Sequence, residues 1–106
     1  IFVAVTVISA RTFLEHPNVA EVICHDKVEK IESNAFWECD SLRRLIMLGV
    51  TIIEEHAFWC CRALTDVECG KLEIIGIGAF ADCRSLRSTN LPSARIVERS
   101  AFAGCE

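Results

Sequence analysis

The 106-residue sequence lacks several features that would assign it to common functional classes. Its 15 acidic residues outnumber 11 basic ones, giving a net charge of −4, so we expect neither nucleic acid nor an anionic membrane surface as a partner. No apolar run reaches the ~18 residues of a membrane span, and no basic segment precedes the apolar start as in a signal peptide. With 52% hydrophobic and 25% charged residues, the chain is predicted to be one globular domain rather than disordered.

Cysteine content and missing glycosylation signals favour a reducing compartment. Seven cysteines are an odd number, so at least one is unpaired, and their density is below the about 8–10% typical of disulfide scaffolds. No Asn-X-Ser/Thr sequence occurs. We therefore expect an intracellular location, with the cell surface or secretion as the alternative.

A repeat of about 22 residues organises the chain. The dipeptide Ala-Phe recurs at this interval, and a cysteine follows each phenylalanine three residues later. Aliphatic residues recur five and eight residues before the phenylalanine and six residues after it. The repeated positions are Phe36, Phe58, Phe80 and Phe102; Cys39, Cys61, Cys83 and Cys105; Leu42, Leu64 and Leu86; Ile31, Ile53, Ile75 and Val97; and Val28, Val50, Leu72 and Ala94.

The N-terminal part joins this repeat after a shift of one residue. The interval from Phe13 to Phe36 is one residue longer than the later ones, with Val5 and Ile8 at the aliphatic positions and His16 at the cysteine position. Residues 1–106 are thus predicted to be one array: a partial unit, three full units and another partial unit. Because neither end has a polar capping segment, we expect this array to be an internal segment of a longer one.

Each unit is predicted to be one coil of an α/β leucine-rich-repeat solenoid. Alternating apolar residues indicate parallel strands near 21–25, 42–47, 66–70 and 88–91 on one face. The spacing of Val50 and Ile53 indicates a short second extended segment. Apolar residues three apart in 57–64 predict short helical turns on the other face, with Ser33, Asn34 and Ser100 as N-cap candidates.

The repeat resembles the BspA-like, or treponemal-type, leucine-rich-repeat family. Its mark is the pattern Ile-x-x-x-x-Ala-Phe-x-x-Cys, present at 31–39, 53–61 and 75–83. Within that family, these repeats look most like those of unicellular algae and other microbial eukaryotes. The resemblance implies a stacked solenoid used for protein binding or adhesion and implies no catalytic residues.

The residues that could serve in catalysis or metal binding are better explained by packing within the fold. Cysteines in one column suit small apolar fillers with weak thiol donors, because a straight column neither converges on zinc nor favours disulfides. Cys60 is expected to be exposed because polar or small residues hold its position in the other units, and His56 could share its face. No phosphate-binding loop is present. We predict no enzyme, no cofactor and no metal site.

The predicted strand face offers a surface for a protein partner. We expect the main contacts at Ile23, Arg44, Ile46, Leu48, Asp66 and Glu68, where apolar side chains at outward positions are rimmed by charge. Trp37 and Trp59 share one repeat position, should stack and form a second patch. The outward columns read Glu21, Arg44, Asp66 and Ser88; Ile23, Ile46, Glu68 and Asn90; and His25, Leu48, Gly70 and Pro92.

The pattern thus favours a non-catalytic protein–protein interaction module that binds or scaffolds another protein, by itself or as part of a larger complex. Two alternatives remain open. The array could be a rigid structural spacer in a large assembly, or a segment of a surface adhesin. Ordinary packing against neighbouring coils, or cover by another part of a longer chain, would also explain the apolar outward positions and the tryptophans.

Overall fold

The computed structural model describes residues 2–3, 7–10, 18–24, 26–86 and 91–105. Within them the chain winds into a β-solenoid of about four coils with parallel strands. The strands are β1 (Phe2–Val3), β2 (Val7–Ile8), β3 (Glu21–Cys24), β4 (Lys30–Ile31), β5 (Arg44–Met47), β6 (Ile52–Ile53), β7 (Asp66–Glu68), β8 (Ile74–Ile75) and β9 (Ile96–Val97). Sheet A has the strand order β1-β3-β5-β7, and sheet B has the order β2-β4-β6-β8-β9.

The strand register follows the repeat in the sequence. In sheet A, Arg44 pairs with Glu21 on one side and with Asp66 on the other, so the first interval is one residue longer than the second. In sheet B, Ile31 pairs with Ile8 and Ile53, and its two intervals differ in the same way. The one-residue shift before the first full unit is therefore confirmed, and the second extended segment of each unit is a two-residue strand of sheet B.

A column of phenylalanine rings runs through the core. Successive rings of Phe36, Phe58, Phe80 and Phe102 stack with centroids 5.0, 5.2 and 5.4 Å apart and nearly parallel planes. The first three are fully buried, as are the equivalent isoleucines and leucines of the full coils. No described residue buries a polar or charged side chain. Because one coil cannot cover its own apolar face, stacking supplies the hydrophobic core.

The last coil departs from the predicted burial. Val97 occupies the same inward position as Ile75, which is fully buried, but it is 51% exposed. Among the described strands, β9 pairs with β8 alone, so no described coil packs on the other side of Val97.

The segment containing the phenylalanines is a series of turns, and the described residues contain no helix. The prediction of helical turns there is wrong. Alternate N–H groups bond within the coil, as in Cys61 N–H to the Phe58 carbonyl at 3.4 Å. The N–H groups between them bond the next coil, as in Phe58 to the Ala79 carbonyl at 2.8 Å. A helix would need every N–H to bond within its own segment.

Backbone dihedrals give a second reason for the missing helix. Two positions in each coil have positive φ, which a right-handed helix excludes. Asn34 and Ser100, both at φ 60°, are among them, so their interpretation as N-caps is also wrong. The positions are Asn34, Glu38, His56, Cys60, Gly78, Asp82, Ser100 and Gly104.

Some predicted features fall on residues that the structure does not describe. Most of the strand predicted near 88–91 is one of them. The others are Val5, Phe13, His16, His25, Ser88 and Asn90.

Candidate protein-binding surfaces

The outward face of sheet A carries the predicted charged column. Arg44 lies between two acidic residues, with its Nη1 3.0 Å from Glu21 Oε2 and its Nε 3.5 Å from Asp66 Oδ2. All three side chains are about half exposed, so each ion pair contributes only about 0–1 kcal/mol. The prediction that neighbouring coils pair these charges is confirmed. The arrangement holds the Arg44 side chain over the strands.

Beside this column lies the apolar group that the sequence placed on the same face. Ile23 and Ile46 are directly paired across β3 and β5, and both are partly exposed. Leu48 follows β5 and is 52% exposed. Glu68 pairs with Ile46 on the other side and is exposed. We define the strand-face patch as Ile23, Arg44, Ile46, Leu48, Asp66 and Glu68.

Sequence reasoning missed one register position of this surface. Strand β1 pairs Phe2 with Ile23, so the strand pairing of sheet A begins one strand earlier than predicted. The interval from Phe2 to Ile23 is one residue shorter than that between Ile46 and Glu68. A repeat search that let each interval shorten or lengthen by one residue would have found it.

The tryptophans stack as predicted. The ring centroids of Trp37 and Trp59 are 5.0 Å apart with an angle of 14° between the planes, and both residues are partly exposed. The His56 ring meets Trp59 edge-on at 6.5 Å and 69°. His56 also lies over Gly78, where a Cβ atom would come within 2.5 Å of its Cδ2. His56 thus packs beside the tryptophan pair, a contact that sequence reasoning did not foresee.

Cys60 is not the exposed thiol that its repeat position predicted. It is only 4% exposed, and burial is the largest cause that raises the pKa of its thiol, opposed in part by the Arg62 charge. Glu38 and Asp82 hold the same position in the adjacent coils and act electrostatically on the thiol. A cysteine is shorter than either neighbour, so it is shielded between them. No hydrogen bond joins Cys60 to His56 in the described part of the chain.

The repeated cysteines act as thiols that donate to the neighbouring coil, and all of them except the partly exposed Cys105 are buried. The sulfur atoms of Cys61, Cys83 and Cys105 lie 3.1 Å from the carbonyl oxygens of Phe36, Phe58 and Phe80, respectively. Interaction with the neighbouring Cys83 thiol, followed by burial, raises the pKa of Cys61 well above its usual value. The interpretation as small fillers with weak donors is confirmed. All seven cysteines are free thiols.

The described residues include neither a metal centre nor a membrane-spanning helix. No group of histidine, cysteine or carboxylate side chains among them could hold a metal ion. In the same part of the chain, no helix is long and apolar enough to cross a membrane.

The stacked coils, the two parallel sheets and the outward patch define a leucine-rich-repeat solenoid. The model of the BspA type leucine-rich repeat region matches residues 1–106 in six copies, and the chain belongs to this family. The family is generally non-catalytic, and binding is its typical function. No curated protein matches the chain.

Solved bacterial structures share the fold. The chain is 30% identical to a leucine-rich repeat protein of T. pallidum, covering 95% of this chain and 49% of that one with a TM-score of 0.90. A leucine-rich repeat protein of Bacteroides ovatus is 25% identical, and the match covers 99% of this chain and 34% of that one with a TM-score of 0.76. A leucine-rich cell surface protein of Faecalibacterium prausnitzii is 29% identical, and the match covers 95% of this chain and 35% of that one with a TM-score of 0.64. This chain therefore spans between a third and half of the length of these proteins.

Proposed function

We propose that the chain is a non-catalytic protein-binding module that contacts its partner through the strand-face patch. The observation that carries this proposal is the apolar group formed by Ile23, Ile46 and Leu48 at outward positions of sheet A. An apolar centre with a charged rim is the composition of protein-contact surfaces. Arg44, with charges on both sides, is the kind of residue that is enriched in such contacts.

The second contact region in this proposal is the tryptophan pair. Trp37 and Trp59 stack on each other, so their rings are held in place without the partner. Rigid aromatic side chains lose little conformational entropy on binding. We expect them to add affinity to contacts made by the strand-face patch.

The test is a pull-down from the native cells with the full-length natural protein as bait, followed by mass spectrometry. One variant bait carries Ile46→Asp and Leu48→Asp together, which put two charges into the centre of the patch. The matched control is Val7→Asp, which changes a 37% exposed apolar residue on sheet B. We expect the wild-type and control baits to recover a stoichiometric partner that the double variant loses, with circular dichroism unchanged in all three.

The same experiment distinguishes a protein-binding module from a rigid spacer. If the double variant keeps the partner, the proposed role of the strand-face patch is refuted and a rigid spacer, bound through other parts of the protein, is favoured. If the partner is lost only when Trp37 and Trp59 are replaced by alanine, the tryptophan pair is the contact surface instead.

The proposed location is the reducing interior of the cell, for which the odd number of cysteines and the missing glycosylation sequence give support. The cell surface, where the name of the Faecalibacterium prausnitzii protein puts that relative, is the alternative. Mild protease treatment of intact cells distinguishes them. Degradation of the protein without lysis would contradict the proposal.

A further inference from the structure

A groove of about 470 Å³ opens on the outward side of sheet B, away from the strand-face patch. Ile52, Ile74 and Ile77 provide apolar walls. Ile52 and Ile74 are paired across β6 and β8, and both are partly exposed. The carboxyl-bearing residues Glu54, Glu55 and Glu98 also line the groove.

The groove exists where a coil lacks the repeated glutamate. The position after the inward isoleucine or valine of sheet B holds Glu32, Glu54 and Glu98 in three coils, Gly76 in the coil between the last two of these, and Ser9 in the first coil. Glycine leaves no side chain between the glutamates of the coils on either side. It also lets the backbone approach closely, since a Cβ atom on Gly76 would lie 2.8 Å from the Glu55 nitrogen.

The missing side chain leaves a backbone donor unused. Glu32 Oε1 accepts a hydrogen bond from the Ala10 N–H of the preceding coil at 3.1 Å, and Glu54 Oε1 accepts one from Ser33 N–H at 3.2 Å. Gly76 cannot do the same for Glu55. Among the described residues, the Glu55 N–H has no acceptor. The repeat itself therefore shows that an oxygen atom fits at this point of the coil.

The charges around the groove determine which kind of ligand can supply an oxygen acceptor for the Glu55 N–H. Glu54 is already paired, with its Oε2 3.0 Å from Lys30 Nζ. Glu55 and Glu98 are exposed and form no ion pair with any residue that the structure describes. An incoming carboxylate would be repelled by both. A neutral carbonyl oxygen that arrives with a cationic side chain satisfies the N–H group and the two carboxylates together.

We propose that this Gly76 groove binds an extended segment of a partner protein that has a lysine or arginine among apolar residues. A backbone carbonyl of the segment accepts the Glu55 N–H. The alkyl part of its basic side chain packs on Ile74 and Ile77, and the charge lies towards Glu55 and Glu98. A second copy of this chain is the weaker candidate, because its net charge of −4 opposes self-association.

The test measures binding of labelled peptides to the purified protein by fluorescence anisotropy in about 0.1 M salt. The probe is a capped peptide of alternating isoleucine and lysine, and the control peptide has glutamate in place of lysine. The protein variants are Glu98→Lys in the groove and Glu29→Lys outside it. Both residues are exposed, and both changes alter the net charge equally. Gly76→Glu is avoided because of the close backbone contact.

We expect the lysine peptide to bind the wild-type protein and to lose about tenfold or more in affinity with Glu98→Lys. Its affinity for Glu29→Lys should stay within about threefold of the wild type, because Glu29 is not part of the groove lining. Equal weakening by the two variants would mean attraction by overall charge alone and would overturn the proposal. Equal binding of the glutamate peptide, or self-association abolished by Glu98→Lys, would overturn it too.

This inference stands apart from the strand-face patch. The variant with Ile46→Asp and Leu48→Asp should bind the lysine peptide as the wild type does, because those residues belong to sheet A. Loss of partner binding with unchanged peptide binding would support both proposals. Loss of peptide binding in this variant would show that the peptide lies on sheet A and would overturn the assignment to the Gly76 groove.

Discussion

Cys83 donates its thiol hydrogen to the carbonyl oxygen of Phe58 in the preceding coil, with sulfur and oxygen 3.1 Å apart. That oxygen also accepts the Cys61 N–H at a longer 3.4 Å. The same thiol–carbonyl contact recurs at the two adjacent coil junctions. The cysteine column thus links the coils as well as filling space between them.

Cys83→Ala should lower the free energy of unfolding by about 1–3 kcal/mol, because it removes buried volume and a hydrogen bond. Urea denaturation measures the change. Arg84→Ala is the control, since Arg84 is exposed and adjacent in sequence. If Cys83→Ala were as stable as this control, the thiol would have no structural role.

The phenylalanine column should tolerate truncation least in its middle. Phe58 is fully buried between two rings, and its replacement by alanine should cost about 3–5 kcal/mol. Phe102 stacks in the same column but is only partly buried, so Phe102→Ala should cost about half as much. Thermal unfolding of both variants checks the order. Equal costs, or a larger one for Phe102→Ala, would contradict the stacking arrangement.

Stability should fall in alkaline solution. Burial raises the pKa of the Cys24 and Cys69 thiols from 9.0 to about 11. The unfolded chain, whose thiols are solvated, loses these protons at lower pH than the folded protein. The stabilisation is fully present below about pH 9 and is lost as the pH rises towards 11, with a slope of at most about 1.4 kcal/mol per pH unit for each thiol.

Urea unfolding at a series of alkaline pH values tests this dependence. Replacing Cys24 and Cys69 by alanine should destabilise the protein at neutral pH and make the alkaline loss shallower. A slope identical to that of the wild type would show that other groups cause the loss.

Thiol labelling of the native protein should start at Cys105. Cys105 is partly exposed, whereas Cys60 and the other five cysteines are buried. Burial raises the pKa of Cys60 and Cys105, so both thiols are weak nucleophiles and access decides their order. Cys105→Ser should remove the first phase of labelling, and Cys60→Ser should leave it. If Cys60→Ser removed the first phase and Cys105→Ser left it, Cys60 would be the reactive thiol.

The sequence predicted the parts of the fold that depend on repetition. A fixed interval between apolar residues determines which side chains face inward and which strands pair, so the core columns and the register of β3 with β5 followed from spacing alone. The same logic placed Ile46, Leu48 and the charges around Arg44 on the outward face of sheet A.

The turn segment could not be predicted in this way. Residues three apart, such as Phe58 and Cys61, face the core both in a helix and in the observed turns, so spacing does not separate the two structures. The difference lies in bonds to the next coil and in positive φ at His56 and Cys60. The Gly76 groove was missed because it depends on a side chain that is absent from one coil.

The central claim is that the strand-face patch binds a protein partner. The most direct measurement is the affinity of that partner, once isolated, for three proteins: the wild type, the variant with Ile46→Asp and Leu48→Asp, and the control Val7→Asp. We predict a loss of about a hundredfold or more for the double variant, since two charges are buried at the centre of the contact, and a change within about twofold for the control. An unchanged affinity of the correctly folded double variant would contradict the claim.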